Sequence, residues 1–461
     1  MRVIIAGGGE TGKALAVVLS AVQEVVVIES NRSRADWLAQ HLDGQVIWGE
    51  AQSLQTLLAA GTGGADLFVA ATGVDEINLL ACLTAKRLGC IKVAACLKNP
   101  DYWEGQHLLN TELKSLDVLL HPVLLAAHAV VKQLINPSFV VNLSFANGRV
   151  ALLALELTQN SHFVGQQLQQ LELPGQAVIC AVTRQGETSA RAKNFTLSAG
   201  DQIYVIGDAL RKSHWLPSSE QISPPQRVLI GDGSWLGQQI ASLMGSSLQH
   251  MENVLLEADL VRCEELADGL PRSRIYQGAI TEHTFLAAIV NAKTDWFVAA
   301  SDNDLVNILS ALLAKNLGVR GMIVVARNQS AQVALKTAGI NNIISPKTLV
   351  AEKVLSLLQR DNWHNFAIIG DGPVQAIEVV VQEGMPLVHK RFGEDRLADG
   401  LIWGAMVRQG QLISPHTAER VQANDHLILL MPQGLSTTSS ALLTVENVIV
   451  KKKTSPRLSQ S

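Results

Sequence analysis

The chain repeats itself. Ala65-Asp-Leu-Phe-Val-Ala-Ala-Thr-Gly-Val-Asp75 and Thr294-Asp-Trp-Phe-Val-Ala-Ala-Ser-Asp-Asn-Asp304 are identical at six of eleven positions, at an offset of 229 residues. The register continues from Asn78 to Asn307, from Ala85-Lys86 to Ala314-Lys315 and from Leu88-Gly89 to Leu317-Gly318. Gly12 matches Gly237 at an offset of 225, Glu29 matches Glu257 at 228, and Ala199 to Ile203 resembles Ala423 to Leu427 at 224. A segment near 1–210 is therefore duplicated near 226–432, so any architecture proposed for one half must be built twice. The 461 residues allow this, at roughly 150 residues per domain.

Within each half the pattern changes partway. Residues 1–135 alternate short β-branched runs (Val3 to Ala6, Val25 to Ile28, Val46 to Trp48, Leu67 to Ala71, Ile91 to Ala95, Val118 to Leu120) with helical stretches, the mark of a parallel α/β sheet. Residues 138–210 instead carry strands at Val140 to Phe145, Val150 to Leu157, Ala177 to Arg184 and Asp201 to Ile206. Turn signals separate them at Asn147-Gly148, Pro174-Gly175, Gln185-Gly186 and Ala199-Gly200. The expected fold class is α/β: two Rossmann-like doubly wound parallel-sheet domains, at 1–135 and 226–360, each followed by a small α+β domain, at 138–210 and 365–432. Ser213 to Gln226, with three prolines and four serines, reads as a linker, and 433–461 as a flexible basic tail carrying Lys451-Lys-Lys-Thr-Ser-Pro-Arg457.

Apolar residues at 48% against 17% charged fit large buried cores, and a formal charge of −4 gives no general attraction to nucleic acid. The longest apolar runs, such as Val123 to Val131, are half a membrane span and contain His128. Met1 is followed at once by the first strand, so no export signal is expected. Five cysteines without C-x-x-C spacing read as reduced thiols filling cores, not as a disulfide frame or zinc site.

The chemistry sits at the glycines. Gly7-Gly8-Gly9-Glu10-Thr11-Gly12 is G-x-G-x-x-G between the strand Val3 to Ala6 and an amphipathic helix Glu10 to Ala21. In that setting the first glycine allows the tight turn, the second lets the backbone approach a pyrophosphate, and the third lets helix meet strand. The helix N–H groups meanwhile point at the anion. Glu29, ending the next strand 22 residues after Gly7, is placed to accept ribose hydroxyls and favours NAD over NADP, although Arg32 and Arg34 follow closely. Glu50 and the pair Thr72-Gly73 fall at later strand ends, where Glu50 can accept from an adenine amino group and Thr72 can lie by the phosphates or second ribose. A solvated loop carboxylate is the alternative for Glu50. The second fingerprint is eroded: its glycine positions hold Asp232, Ser234 and Gly237, with Gly233 between, and Asp232 sets a negative charge beside any pyrophosphate. Glu257 keeps the ribose position and Ser301 replaces Thr72, leaving two readings of this half, a second nucleotide site or a repeat that has lost its ligand.

No catalytic set accompanies these motifs. The twelve histidines are scattered, and His121 and His128, seven apart, are expected on one exposed or half-buried helix face. There is no H-E-x-x-H or G-x-S-x-G, and Ala14 stands where a P-loop needs a hydroxyl for Mg²⁺. A nucleotide-binding sheet without an acid, a base or a nucleophile is better suited to sensing than to turnover.

The combination resembles the TrkA family, cytosolic regulatory subunits of bacterial Trk potassium uptake systems. Val3 to Gly12, Ala71-Thr-Gly-Val-Asp-Glu-Ile-Asn78, Asn99-Pro-Asp-Tyr102 and Ile344-Ser-Pro346 carry the likeness, which spans about 1–432. It implies two RCK units, each a nucleotide-binding N-lobe and a C-lobe. It further implies a homo-oligomer, expected to be a tetramer, on the inner face of the cell membrane beneath a TrkH-type potassium channel subunit, with NAD(H), ATP or ADP setting its state. Family-style nucleotide contacts carry over to Gly7 through Thr11 for the phosphates, to Glu29 for the ribose, and to Thr72-Gly73. Where the family carries an R-x-R or R-x-K pattern, Cys96-Leu97-Lys98 keeps only Lys98, which weakens the case for tight recognition of a third phosphate. The rival class is an NAD-dependent oxidoreductase with duplicated dinucleotide-binding domains.

Overall fold

The computed structural model describes residues 1–20, 23–104, 116–139, 141–168, 171, 173–174, 177–184, 187–190, 195–216, 222–291, 295–358, 363–369, 374–393, 397, 401–413 and 419–432. In the first N-lobe, β1 (Arg2–Ala6), α1 (Glu10–Ser20), β2 (Glu24–Glu29), α2 (Arg32–His41), β3 (Gln45–Trp48), α3 (Leu54–Ala59), β4 (Leu67–Ala70), α4 (Asp75–Arg87), β5 (Lys92–Cys96), α5 (Pro100–Glu104), β6 (Val118–Leu120) and α6 (Pro122–Ile135) alternate. The strands form one parallel sheet in the order β3-β2-β1-β4-β5-β6. Val3, Ile4, Ile5 and Ala6 are fully buried, as a central strand covered on both faces requires. The strand order reverses between β1 and β4, which opens a crevice at their carboxyl ends.

The first C-lobe is an antiparallel sheet of β7 (Val141–Phe145), β8 (Val150–Glu156), β9 (Val178–Arg184), β10 (Glu187–Ala190) and β11 (Gln202–Asp208). The Asn147-Gly148 signal joins β7 to β8, both residues at positive φ (53° and 83°). The linker is not free chain at its start: Trp215 and Leu216 are buried in the C-lobe core, and the Ile222 N–H donates to Ser138 Oγ at 2.7 Å. β10 was not expected from the sequence. Gly175, Gln185-Gly186 and the tail 433–461 lie outside the described residues.

The second half rebuilds this order. Its N-lobe comprises β12 (Arg227–Gly231), α7 (Trp235–Ser247), β13 (Glu252–Glu257), α8 (Leu260–Gly269), β14 (Arg274–Gln277), α9 (His283–Ile289), β15 (Asp295–Ala299), α10 (Asp304–Asn316), β16 (Gly321–Val325), α11 (Gln329–Thr337), β17 (Ile343–Ile344) and α12 (Pro346–Leu357). Its C-lobe comprises β18 (Trp363–Ile369), β19 (Val374–Val380), β20 (Ile402–Arg408), β21 (Gln411–Ile413) and β22 (His426–Pro432). Both sheets keep the strand orders of the first half. The two C-lobe sheets pack face to face, with Phe145, Leu152 and Tyr204 against Ile402, Ile428 and Leu430.

The two N-lobes exchange their last helices. α12 lays Val350, Ala351, Val354 and Leu355 on the first sheet, among Val3, Ile5, Leu15 and Leu120. α6 lays Ala126, Ala127, Val130 and Leu134 on the second, among Val228, Ile230, Ile240 and Trp296. His121 corrects the expectation of an exposed or half-buried histidine, because it caps α6, is buried, and packs on Trp235 of the other lobe with ring centroids 4.3 Å apart. Burial lowers its pKa to about 4. His128 is exposed. All five cysteines are free and buried, and burial pushes Cys90 up to about 11 and Cys96 and Cys180 to about 12. Among the described residues no helix is long and apolar enough to cross a membrane.

Leu134→Ala should cost about 2–5 kcal/mol, and hydrogen exchange should find the loss in β12 and β15 of the other half. Burial raises Glu352 of α12 from 4.5 to about 7, with Lys132 of α6 drawing it back. The folded state then holds a proton that the unfolded chain has released, so stability should fall as pH rises from about 4.5 through 7. Glu352→Gln should flatten that slope in thermal unfolding measured across pH.

Candidate nucleotide site

Gly7 leaves β1 at φ 103°, its N–H bonded to the Ile28 carbonyl at 2.8 Å. A Cβ there would lie 2.8 Å from the Ala71 carbonyl oxygen, and one at Gly12 would lie 1.7 Å from the Gly7 carbonyl oxygen, so both positions demand glycine. A Cβ on Gly9 would meet only Arg34 Nη1, at 3.7 Å. The Gly9 backbone is thus open to an approaching group, and its N–H has no partner among the described residues.

Glu29 ends β2 almost wholly buried. Oε2 accepts the Gly8 N–H at 2.7 Å, Oε1 accepts the Asn31 N–H at 2.7 Å, and Arg34 Nη1 stands 3.6 Å away. The carboxylate therefore fixes the glycine turn and the start of α2 while still facing the cleft. Gly7, Gly9, Glu29, Arg34, Glu50, Thr72 and Gly73 line that cleft together. Thr72 gives its N–H and hydroxyl to Asn78 Oδ1 at 2.9 and 2.6 Å, and Asn78 Nδ2 donates to the Cys96 carbonyl at 2.7 Å. Asp75 accepts the N–H groups of Lys98 and Asn99 at 2.8 and 2.7 Å. Buried Asn78 and Asp75 thus brace the loops after β4 and β5 against each other, which explains why those residue types recur in the repeat.

Other residues named from the sequence stand beside the cleft. Gly8 and Gly12 serve the turn. Glu10 and Thr11 open α1, and Glu10 pairs with Lys347 of α12 at 2.6 Å, whose ammonium holds the carboxyl below its ordinary pKa. Lys98 is exposed and is not among the lining residues. Arg34 was noted in the sequence only for its charge, yet it lines the cleft. Its signal was a basic residue in the first turn after the ribose carboxylate, repeated at Arg262.

The second lobe reproduces the frame. Asp232 stands where Gly7 stands, at φ 81°, its N–H bonded to the Leu256 carbonyl at 3.0 Å. A Cβ on Gly237 would lie 2.1 Å from the Asp232 carbonyl oxygen. Glu257 accepts the Asp259 N–H at 2.9 Å, Ser234 caps α7, and Ser301 gives its N–H to Asn307 Oδ1 at 2.8 Å. Asp304 accepts the N–H groups of Arg327 and Asn328, as Asp75 does for Lys98 and Asn99.

The TrkA-N domain model matches residues 3–119 and 228–346, and the TrkA-C model matches 152–209. A Trk system potassium uptake protein TrkA homolog of Archaeoglobus fulgidus is 30% identical over 93% of this chain and 97% of its own length. The Trk system potassium uptake protein TrkA of Azorhizobium caulinodans is 27% identical over 93% and 95%. In fold, the GsuK RCK domain superposes with a TM-score of 0.56 at 15% identity, covering 96% of this chain and 94% of that one. The GsuK channel bound to NAD gives 0.55 at 17% identity, covering 96% and 78%.

Asn78→Ala removes an acceptor and a donor at a fully buried position. It should cost about 1–3 kcal/mol for each group left unpaired, read by denaturant unfolding, and Asn307→Ala should cost a comparable amount.

Proposed function

The chain belongs to the TrkA family, and on that premise we propose that it is a nucleotide-sensing regulatory subunit that binds and gates a membrane potassium uptake channel of the TrkH type. The observation that carries the reading is the first cleft, which the open Gly9 backbone, the Glu29 carboxylate beside the glycine turn, and Thr72-Gly73 line together. Gly7 through Thr11 hold the phosphates, Glu29 the ribose, Glu50 the adenine amino group, and Thr72-Gly73 the second ribose side. NAD(H) is the first candidate ligand and ATP or ADP the next. The NAD named with the GsuK channel supports this, as that channel shares the fold. Lys98, exposed after β5, is left for a terminal phosphate. The chain works without turnover, as a homo-oligomer, a tetramer in our reading, held at the inner face of the membrane by its channel. Its units are N-lobes at 1–135 and 226–360, C-lobes at 138–210 and 365–432, and a tail at 433–461. Family membership weighs against the oxidoreductase alternative, which steady NADH consumption with a panel of carbonyl substrates would restore.

Calorimetry on the full chain should give nucleotide binding that Gly9→Asp abolishes. That variant puts a carboxylate where the backbone meets phosphate, at a position with room for a side chain. Glu29→Ala should lose about 1.5–3 kcal/mol of binding, typical of hydrogen bonds to a charge. Unchanged affinity in both variants would refute the site. Recovery with membranes should require the channel and survive deletion of 449–461. Recovery that ignores the channel and vanishes with the tail would mean lipid adsorption, at about 1 kcal/mol per basic residue.

A further inference from the structure

We infer that the second N-lobe is closed to nucleotide by its own carboxylates, with Asp232 taking the place of a phosphate, so that each chain binds one nucleotide, in the first lobe. The inference rests on the reading of these clefts as nucleotide sites.

Two glycines of the first cleft, Gly7 and Gly73, have aspartates as counterparts, Asp232 and Asp302. Asp232 occupies a backbone conformation that L-residues other than Asn and Asp rarely adopt, at φ 81°. Its side chain is used locally: Oδ1 accepts the Ser234 N–H at 2.8 Å. That N–H is the counterpart of the Gly9 N–H, which in the first lobe opens into the cleft. A carboxylate bound to the loop amide where a phosphate oxygen would sit both fills the position and repels a second anion.

The surrounding donors are committed as well. The Ser234 hydroxyl donates to the Ala300 carbonyl at 2.9 Å and accepts the Gly237 N–H at 3.3 Å. Arg262, the counterpart of Arg34, donates to the Gly233 carbonyl at 3.0 Å, which Gln238 Nε2 also reaches at 3.0 Å. Arg327, the counterpart of exposed Lys98, pairs with Asp302 at 2.6 Å and donates to the Ser301 carbonyl at 2.8 Å. On the adenine side Ala279 stands where the first lobe has Glu50, since Gly278 and Gly49 bond alike to the Glu257 and Glu29 carbonyls at 2.8 and 3.0 Å. The second lobe has kept the shape of the site and has spent its phosphate donors on itself.

Equilibrium binding of NADH and ATP to the full chain tests this by stoichiometry. Wild type should bind one equivalent and Gly9→Asp none. Adding Asp232→Gly and Asp302→Gly to Gly9→Asp should restore one equivalent, and further Glu257→Ala should remove it again. Two equivalents in wild type, or one in Gly9→Asp that Glu257→Ala abolishes, would overturn the inference. So would an empty Gly9→Asp/Asp232→Gly/Asp302→Gly chain with an unchanged unfolding midpoint, because the carboxylates would then not be what closes the lobe. A wild-type chain that binds nothing while the triple variant binds one equivalent would sink the first-lobe reading and the count of one nucleotide per chain, and leave the closure of the second lobe by its carboxylates standing.

Discussion

The exchange of α6 and α12 is the contact on which the rest of the molecule depends. Each N-lobe sheet has one face covered by a helix that the other half supplies, so neither half closes its own core. Burial of apolar side chains is worth about 25 cal/mol per Å², and an isolated half would expose both a sheet face and a helix stripe to water. The exchange also sets where the clefts lie. It brings the start of α12 to the start of α1, where Lys347 meets Glu10, and the start of α6 to the start of α7, where His121 meets Trp235. The glycine turns of the two lobes are therefore each bordered by residues from the opposite half.

Much of this frame was legible in the sequence, because its signals are local. Gly12 is forced by the Gly7 carbonyl within one turn, Gly7 and the Asn147-Gly148 hairpin are marked by positive φ, and the parallel strands by continuous apolar runs. The helix exchange was not legible. Periodicity in Pro122 to Ile135 shows that one face is apolar but not which sheet receives it, because a stripe of Ala126, Val130 and Leu134 fits either surface. The same limit hid Trp215, whose prolines and serines nearby read as a linker while its indole completes the C-lobe core. Arg34 was visible only as a charge, since its place over the glycine turn depends on how α2 docks.

Comparison of the halves separates structural positions from ligand positions. Buried polar braces persist: Asn78 and Asn307, Asp75 and Asp304, and the forked pairs Arg184–Asp201 and Arg408–Asp425. Removing Asn78 or Asn307, or the arginine of a forked pair, strands buried polar groups at a cost of about 1–3 kcal/mol, so both halves need them whether or not a ligand arrives. Positions facing the clefts diverge instead, from Gly7 to Asp232, from Gly73 to Asp302 and from Glu50 to Ala279. At Gly73 a Cβ would meet nothing within 4 Å, so the fold does not hold that residue fixed.

The asymmetry extends to the C-lobes. Glu378 is buried in the second at the position of Ala154 in the first, and its carboxylate accepts the Ala146 N–H at 3.0 Å across the interface and contacts His426 Nδ1 at 2.9 Å. An apolar interface tolerates sliding between sheets, whereas a buried carboxylate satisfied by one N–H of the opposing lobe has one register. The C-lobes are thus fixed to each other, and the N-lobes are fixed through their exchanged helices. A ligand shifts a conformational equilibrium only by its differential affinity for the two states. On the reading proposed above, such a ligand would act at the first glycine turn, which is bordered by Glu10 and, through it, by Lys347 of the other half. An anion at Gly9 would change the field around that ion pair, whose lysine opens the helix that lays Val350, Ala351 and Val354 on the first sheet.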